Sequence, residues 1–169
     1  MTKAVWSGVV AVAILLVVLF STNVFAQQTA TANVTATAAV AAKARLEITG
    51  AVAFADADPE TVPTIDASSA LDVTVKARTG PAETVTLTVI AGDDLKTAAL
   101  DVIAINNLTW TVTGAGFAVG TASKAAAQSV GSWTGSGTRN GTQSYKLTNS
   151  WAYATGNYSV TLTYTLSAP

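Results

Sequence analysis

The sequence predicts an all-β protein, an antiparallel β-sandwich of about seven to nine strands, and three observations carry that prediction. Segments with an apolar residue at every second position recur along the chain. Turn-forming sequences separate them at intervals of roughly 8–12 residues, as in sandwich domains. The composition is rich in Thr, Val and Ala, and there is no Cys. Without disulfides, such a domain must be held together by its apolar core and by hydrogen bonds between strands.

The first 26 residues have the features of an export signal. Lys3 is followed by the apolar run VVAVAILLVVLF (9–20), and a small-residue cleavage pattern ends at Ala26. An uncleaved anchor is the alternative, but its apolar stretch would be at the lower limit for a membrane span. We expect a cleaved signal peptide at 1–26, no membrane span afterwards, and export to the periplasm, cell surface or exterior of a bacterium.

The mature chain then begins with an alternating segment that is too long for one strand. Every even-numbered residue from Ala30 to Ile48 is apolar, and the odd-numbered ones are polar except for Ala39 and Ala41. Twenty residues of strand would run roughly 65 Å, whereas strands in compact domains usually end within about ten residues. We divide the segment into an N-terminal extension, 27–38, and a strand, 40–48, that belongs to the sandwich domain, 39–169.

The extension is a candidate inserted strand for a neighbouring subunit. Its alternate residues would form the inserted row: Ala30, Ala32, Val34, Ala36 and Ala38. These side chains are small, so the groove that receives them should be shallow. The alternative is that the long segment crosses from one sheet to the other within its own domain, near Ala39.

Four later segments alternate clearly and are predicted strands: 71–77, 84–90, 108–114 and 158–166. The first two should form a hairpin or lie close together. The segment 95–105 could be a strand or a helical turn, and 123–129 is the one segment of the middle region that could form a short helix. Asn140-Gly141 has the residue types of a two-residue hairpin turn.

Charge is sparse and differs between the two halves of the chain. From Gln27 to Asp101 there are ten acidic and five basic residues, a net charge of −5, and three basic residues follow, a net charge of +3. The simpler interpretation is chance variation; the alternative is that opposite ends attract in head-to-tail contacts. No basic run is interleaved with aromatic residues, so we expect no nucleic-acid partner.

Nothing in the sequence selects an enzyme site. The absence of His removes the commonest general base and metal ligand. Asp56, Asp58 and Glu60 alternate in an acidic loop and could supply part of a cation shell, but acids beside a Pro are more often solvated. Asp93-Asp94 has the features of a turn. We expect no catalytic residues, no metal and no cofactor.

The aromatic residues fall mostly in the second half of the chain. Trp110, Tyr158 and Tyr164 occupy the apolar phase of their strands and should lie in the core. Trp151 and Tyr153, near the ATGN turn, form a candidate surface pair that could stack on sugar rings. They would suit a module that binds polysaccharide or cell-wall polymer.

The order of features supports a family resemblance. It consists of the signal peptide, the Thr/Ala segment, LEITGAVAF (46–54) before an acidic loop with Pro, and the closing TGNYSVTLTYTLSAP (155–169). This outline resembles small exported bacterial proteins of the spore coat protein U and pilin-like families. The resemblance implies an immunoglobulin-like sandwich and, as in fimbrial relatives, assembly in which a subunit lends its N-terminal strand to the next.

A weaker resemblance concerns the WxL wall-binding domains, which have Trp-x-Leu triplets. Trp110-Thr111-Val112 and Tyr164-Thr165-Leu166 stand in the corresponding places, and attachment to peptidoglycan is implied. We therefore expect a non-enzymatic surface subunit that forms fimbriae or filaments with copies of itself or related subunits. The alternative is a monomeric module that binds cell-wall polymer or carbohydrate.

Overall fold

The computed structural model of the chain describes residues 30–169. The chain divides after Ala38 into two units, and the second, Ala39–Pro169, contains every strand of the described part. The expected signal peptide, 1–26, lies outside the described residues. Within 30–169, no helix is long and apolar enough to cross a membrane.

The regular secondary structure of the described part is almost entirely β and consists of eleven strands. They are β1 (Lys43–Thr49), β2 (Thr64–Asp66), β3 (Leu71–Arg78), β4 (Thr84–Ala91), β5 (Leu95–Lys96), β6 (Val102–Ile103), β7 (Leu108–Val112), β8 (Gly120–Thr121), β9 (Gln128–Thr134), β10 (Gly137–Thr148) and β11 (Leu162–Ser167). A short 3₁₀-helix, Ile105–Asn107, precedes β7. The segment 95–105 is therefore a small hairpin, β5 with β6, that leads into the 3₁₀-helix.

Two antiparallel sheets contain most of these strands. The larger sheet has the order β1-β3-β10-β7-β8, with β2 also paired to β10, and the smaller sheet has the order β11-β4-β9. Every ladder in residues 30–169 is antiparallel. The all-β, antiparallel class predicted from the sequence is confirmed, and the arrangement is sandwich-like.

The alternating strands bury one face each, and both sheets contribute to a shared core. Val73 and Val75 of β3 are 1% exposed, and Leu87 of β4 is fully buried. Trp110 of β7 and Tyr145 of β10 belong to the same core and form a tilted aromatic pair, with ring centroids 5.8 Å apart. Each such side chain contributes roughly 1.5–3 kcal/mol when it is removed from water, so the alternation accounts for the core.

The hairpin expected between β3 and β4 is absent, because the two strands lie in different sheets. β3 lies between β1 and β10 in the larger sheet, whereas β4 lies between β11 and β9 in the smaller one. Both strands have a buried apolar face, and each meets the common core from its own side. The connection 79–83 therefore crosses from one sheet to the other.

The predicted turn at Asn140-Gly141 is also wrong, because both residues lie inside β10, opposite Thr74 and Val73. The connection between β9 and β10, which passes from the smaller sheet to the larger one, turns at Gly135, where φ is +71°. A side chain at position 141 would collide with the Phe117 ring and with the carbonyl oxygen of Thr113. Gly141 is thus required by packing and not by a turn.

Three other segments contain less regular secondary structure than the sequence-based expectation. Residues 30–42 form no strand, so β1 begins at Lys43 and not at Val40. β11 begins at Leu162, and the residues before it form only an isolated bridge between Ser159 and Lys96. The helix considered at 123–129 is absent: the Ser123 Oγ accepts the backbone N–H groups of Ala125 and Ala126 in a short bend, and β9 starts at Gln128.

Candidate functional site

One side of the sandwich is closed by the chain itself. Phe117 bridges Gly131 at the edge of the smaller sheet, and the following β8 pairs with β7 at the edge of the larger one. Two indole N–H groups hold this crossing segment: Trp110 donates to the Ala118 carbonyl at 2.9 Å, and Trp133 donates to the Ala115 carbonyl at 2.8 Å. On this side, therefore, both sheet edges are covered.

The opposite side is formed by β1 and β11, and it is open. β1 is the edge of the larger sheet, and β11 is the edge of the smaller one. The two strands lie in contact, but in the described part of the chain no ladder joins them, and neither has a partner on its second edge. Unpaired strand edges present free N–H and C=O groups to any extended segment that approaches.

Five apolar side chains along this side are only half buried. They are Leu46 and Ile48 of β1, and Leu162, Tyr164 and Leu166 of β11. The equivalent residues of the inner strands β3 and β4 are at most 5% exposed. We call β1 and β11, with these five side chains, the open edge. Its apolar row is the part of the core that the chain leaves incompletely covered.

A ring of three hydrogen bonds fastens β11 to the larger sheet. The Gln143 side-chain Nε2 donates to the Tyr145 hydroxyl at 3.1 Å, the Tyr145 and Tyr164 hydroxyls are 2.7 Å apart, and the Tyr164 hydroxyl donates to the Gln143 side-chain Oε1 at 2.6 Å. With Tyr145 as donor to Tyr164, each hydroxyl donates once and accepts once. Burial raises the pKa of Tyr164 to about 12 and also raises the pKa of Tyr145.

The described part of the N-terminal extension, residues 30–38, is exposed and forms no strand. All five residues of the candidate inserted row, Ala30, Ala32, Val34, Ala36 and Ala38, are in this state. Val34, the largest of them, is 92% exposed. The segment therefore keeps a strand pattern in its sequence without strand pairing in the structure.

The candidate aromatic pair consists of two rings in different environments. Trp151 is 72% exposed, whereas Tyr153 is half buried against the core. The nearby Asn149 side chain donates to the carbonyl groups of Ala57 and Val62, which joins this turn to the acidic loop. Trp151 alone is thus available for stacking.

Of the three aromatic residues assigned to the core, Trp110 is fully buried and Tyr158 and Tyr164 are half buried.

The acidic residues do not converge on a cation site. In residues 30–169 there is no group of three or more carboxylates placed to hold a metal. In the acidic loop, the Asp58 carboxylate accepts the backbone N–H of Glu60 at 2.9 Å, which is the geometry of an Asx-turn. The side chains of Asp56, Asp58 and Glu60 are exposed to solvent.

Asp93 and Asp94 form a turn and an ion-pair cluster. Asp93 pairs with Lys96 and Lys124, and Asp94 pairs with Lys124 at 2.5 Å. Hydrogen bonding from Lys96 lowers the pKa of Asp93 to about 2, and hydrogen bonding from Lys124 lowers the pKa of Asp94. Asp94 also accepts the backbone N–H of Ile105 at 2.9 Å, which connects the β4–β5 turn to the 3₁₀-helix.

Sequence reasoning missed Gln143, which is fully buried. Its position carried a usable signal, because it shares the inward phase of β10 with Tyr145 and Leu147. A buried amide must find hydrogen-bond partners, and a nearby Tyr on a core-facing strand is a natural one.

No model of a known protein family matches the sequence, and no curated protein matches it.

Proposed function

We propose that the protein is a non-enzymatic structural subunit of the bacterial cell surface that assembles by β-strand addition. The N-terminal extension of one copy would add as a strand at the open edge of another. The observation that carries this proposal is the coexistence, in one chain, of an exposed unpaired segment with strand periodicity and two unpaired strand edges beside a half-exposed apolar row.

The lengths of the two parts are compatible. Residues 30–38 would extend about 30 Å as a strand, and the six residues of β11 extend about 20 Å. An added strand would place alternate side chains against the apolar row and the others toward solvent. The outward residues of the extension are Thr31, Asn33, Thr35 and Thr37, which suit a solvent-facing side.

The energy of such an addition would come mainly from the backbone. Ala side chains bury little area, at roughly 0.8 kcal/mol for each CH₂-sized group. Each ladder hydrogen bond adds about 0.5–1.5 kcal/mol net. Several bonds along one edge, with Val34 as the largest anchor, would together support a stable but reversible contact.

A pair of matched variants tests the proposal. Ala32→Asp, Val34→Asp and Ala36→Asp place three carboxylates on the inward row, and Thr31→Asp, Asn33→Asp and Thr35→Asp place the same number on the outward row. We expect the first set to abolish assembly of the chain 27–169, measured by light scattering and negative-stain microscopy, and the second to retain it. Equal behaviour of the two sets would contradict strand addition.

The proposal also includes the fold class of the subunit and its location in the cell. An immunoglobulin-like architecture is supported by two antiparallel sheets with a common core, and by consecutive strands β3 and β4 in opposite sheets, as strands B and C are in immunoglobulin domains. β10 lies beside β3, where immunoglobulin domains have strand E, so the likeness is one of architecture. Export by the signal peptide would place the subunit outside the cytoplasm.

A second candidate function is a monomeric module that binds wall polymer or polysaccharide. The observation in its favour is Trp151, a large aromatic ring that is 72% exposed. Retention of the chain on insoluble peptidoglycan or glycans tests it. Binding that is lost in Trp151→Ala and kept in Tyr153→Ala would support this module, and binding that survives both changes would exclude a Trp151 site.

A further inference from the structure

The charged side chains of the sandwich are separated along the strand direction. We define the turn end as the end with the β9–β10 connection, where Lys43 lies opposite Arg78, and the loop end as the other, where Thr49 lies opposite Asp72. Five bases and two acids lie toward the turn end: Lys43, Arg45, Lys76, Arg78 and Arg139, with Glu83 and with Glu47, which is paired to Arg45. This end is therefore basic.

The loop end has the opposite charge. Its eight acids and three bases are Asp56, Asp58, Glu60, Asp66, Asp72, Asp93, Asp94 and Asp101, with Lys96, Lys124 and Lys146. All three bases are in ion pairs with acids of the same end. Bases from the second half of the sequence are thus paired with acids from the first half. In the structure, charge is instead separated between the two ends of the sandwich.

Four of the bases form a compact block on the outer face of the larger sheet. Lys43 lies directly opposite Arg78, and Arg45 lies directly opposite Lys76. All four are exposed, and the described residues supply one acid to them, Glu47, 3.3 Å from Arg45. Like charges directly opposite each other in a sheet are destabilising. We call these four residues the basic block.

The acids best placed to meet the basic block are on the loop end of another copy. Asp56, Asp58, Glu60 and Asp72 are exposed, and within residues 30–169 none of them is in an ion pair. Four exposed bases at one end and four exposed acids at the other are complementary charges. Complementary fields orient encounters and exclude the opposite docking sense.

We propose that the basic block docks on the acidic loop end of the next copy, so that subunits join head to tail. This inference rests on the proposed strand addition and specifies its direction. The extension leaves the sandwich at Lys43, beside the basic block, and residues 39–42 span at most about 14 Å. The block of the donor must therefore lie close to the place where the inserted Ala38 leaves the acceptor.

Only one direction of insertion brings opposite charges together. β11 runs from the loop end at Leu162 to the turn end at Ser167. A strand inserted antiparallel to β11 has Ala38 at the acceptor's loop end, so the donor's basic block meets acids. The reverse insertion would set the donor's basic block against the acceptor's own block. The charges thus select insertion antiparallel to β11.

Charge-reversal variants of the chain 27–169 test the docking. One variant carries Lys43→Glu, Arg45→Glu, Lys76→Glu and Arg78→Glu, and the other carries Asp56→Lys, Asp58→Lys and Glu60→Lys. We expect each alone to assemble at least about tenfold more slowly than the natural chain, and an equimolar mixture to recover most of the rate. Recovery in the mixture also shows that both variants are folded.

Cysteine cross-linking tests the direction, and the natural chain has no Cys to interfere. A chain with Ala38→Cys is mixed in one experiment with a chain carrying Thr163→Cys, near the loop end of β11. In the other experiment it is mixed with a chain carrying Ser167→Cys, near the turn end. Both positions are exposed. We expect the first mixture to give the cross-linked heterodimer, identified by mass spectrometry. Preferential cross-linking to Ser167→Cys would overturn the direction.

Other outcomes separate this inference from the proposed function. If both reversal variants assemble at the natural rate, or if neither they nor their mixture assemble, charge docking is wrong. If they assemble normally but the basic-block variant loses retention on polyphosphate beads, the block binds an anionic polymer and the proposal is also wrong. Deletion of 27–38 tests strand addition itself: normal assembly after that deletion, with slow assembly of the reversal variants, would refute strand addition and leave charge docking supported.

Discussion

The hydroxyl groups of Tyr145 and Tyr164 lie 2.7 Å apart, and their contact joins β10 of the larger sheet to β11 of the smaller one. It matters because β11 has a ladder partner on one edge only, β4. These hydroxyls complete a buried ring of hydrogen bonds with Gln143. Through this ring, the Tyr164 side chain gives β11 a second attachment. An edge strand can then stay in place while its other edge is open to an incoming strand.

Tyr164→Phe should destabilise the sandwich by about 1–3 kcal/mol. The change removes one hydroxyl and leaves the Gln143 side-chain Oε1 and the Tyr145 hydroxyl each short of a partner in a buried site, which costs about that much. Urea unfolding of the chain 27–169 measures it. The control is Tyr158→Phe, whose hydroxyl donates to the Ala154 carbonyl at an exposed position and should matter by less than about 0.5 kcal/mol. Equal losses in the two variants would show that the ring contributes nothing special.

The same ring predicts sensitivity to alkali. The pKa of Tyr164 is raised to about 12, and that of Tyr145 is raised above its ordinary value of 10.0. A raised folded-state pKa gives stability that is fully present below pH 10 and is lost as the pH rises toward 12. Phenolate absorbance and circular dichroism should therefore show these two groups ionising late, together with unfolding. Ionisation of both near pH 10 in a folded chain would contradict the buried ring.

Asp93 should titrate well below an ordinary aspartate. Its pKa is lowered from 3.8 to about 2, first of all by the Lys96 hydrogen bond. Because the folded-state pKa is depressed, the ion pair stabilises the fold above about pH 4 and loses its effect as the pH falls toward 2. Titration of the carboxyl carbon by NMR should show the low pKa, and Lys96→Gln should raise it. Lys146→Gln, which affects the Asp66 pair, is the control and should leave Asp93 unchanged.

Gly141→Ala should destabilise the fold by about 1–3 kcal/mol, the usual cost of overpacking. The new methyl group would collide with the Phe117 ring and the Thr113 carbonyl oxygen. Gly92→Ala is the matched control, since the nearest atom to a methyl group there, the Thr161 carbonyl oxygen, is 3.6 Å away. Thermal unfolding of both variants compares them. A Gly141→Ala chain as stable as Gly92→Ala would mean that the strand can shift to accept a side chain.

The sequence predicted the strands whose two faces differ. β3, β4 and β7 bury a continuous row of Val, Leu or Trp, and a period of two is unambiguous there. Pairing could not be obtained in the same way. β3 and β4 follow each other closely, but each has two ladder partners from distant parts of the chain, and the periodicity of a strand contains no information about its neighbours.

Local motifs failed where tertiary contacts decide. Asn140-Gly141 is a favourable turn in isolation, but Phe117, distant in sequence, packs where the side chain of residue 141 would be. The candidate site was predictable in part: the extension was identified by its excess length, whereas the open edge depends on which strands end each sheet. The basic block depends in turn on the register of β1 with β3, which places Lys43 opposite Arg78.

The most direct test of strand addition uses a synthetic peptide of residues 29–42 and a chain that lacks residues 27–38. Hydrogen exchange with and without the peptide shows which backbone amides it protects. We expect protection of amides in β11 or β1, and a higher unfolding temperature of the complex. The same peptide with Ala32→Asp, Val34→Asp and Ala36→Asp should give neither effect. Binding without protection at either strand, or no binding at all, would contradict assembly through the open edge.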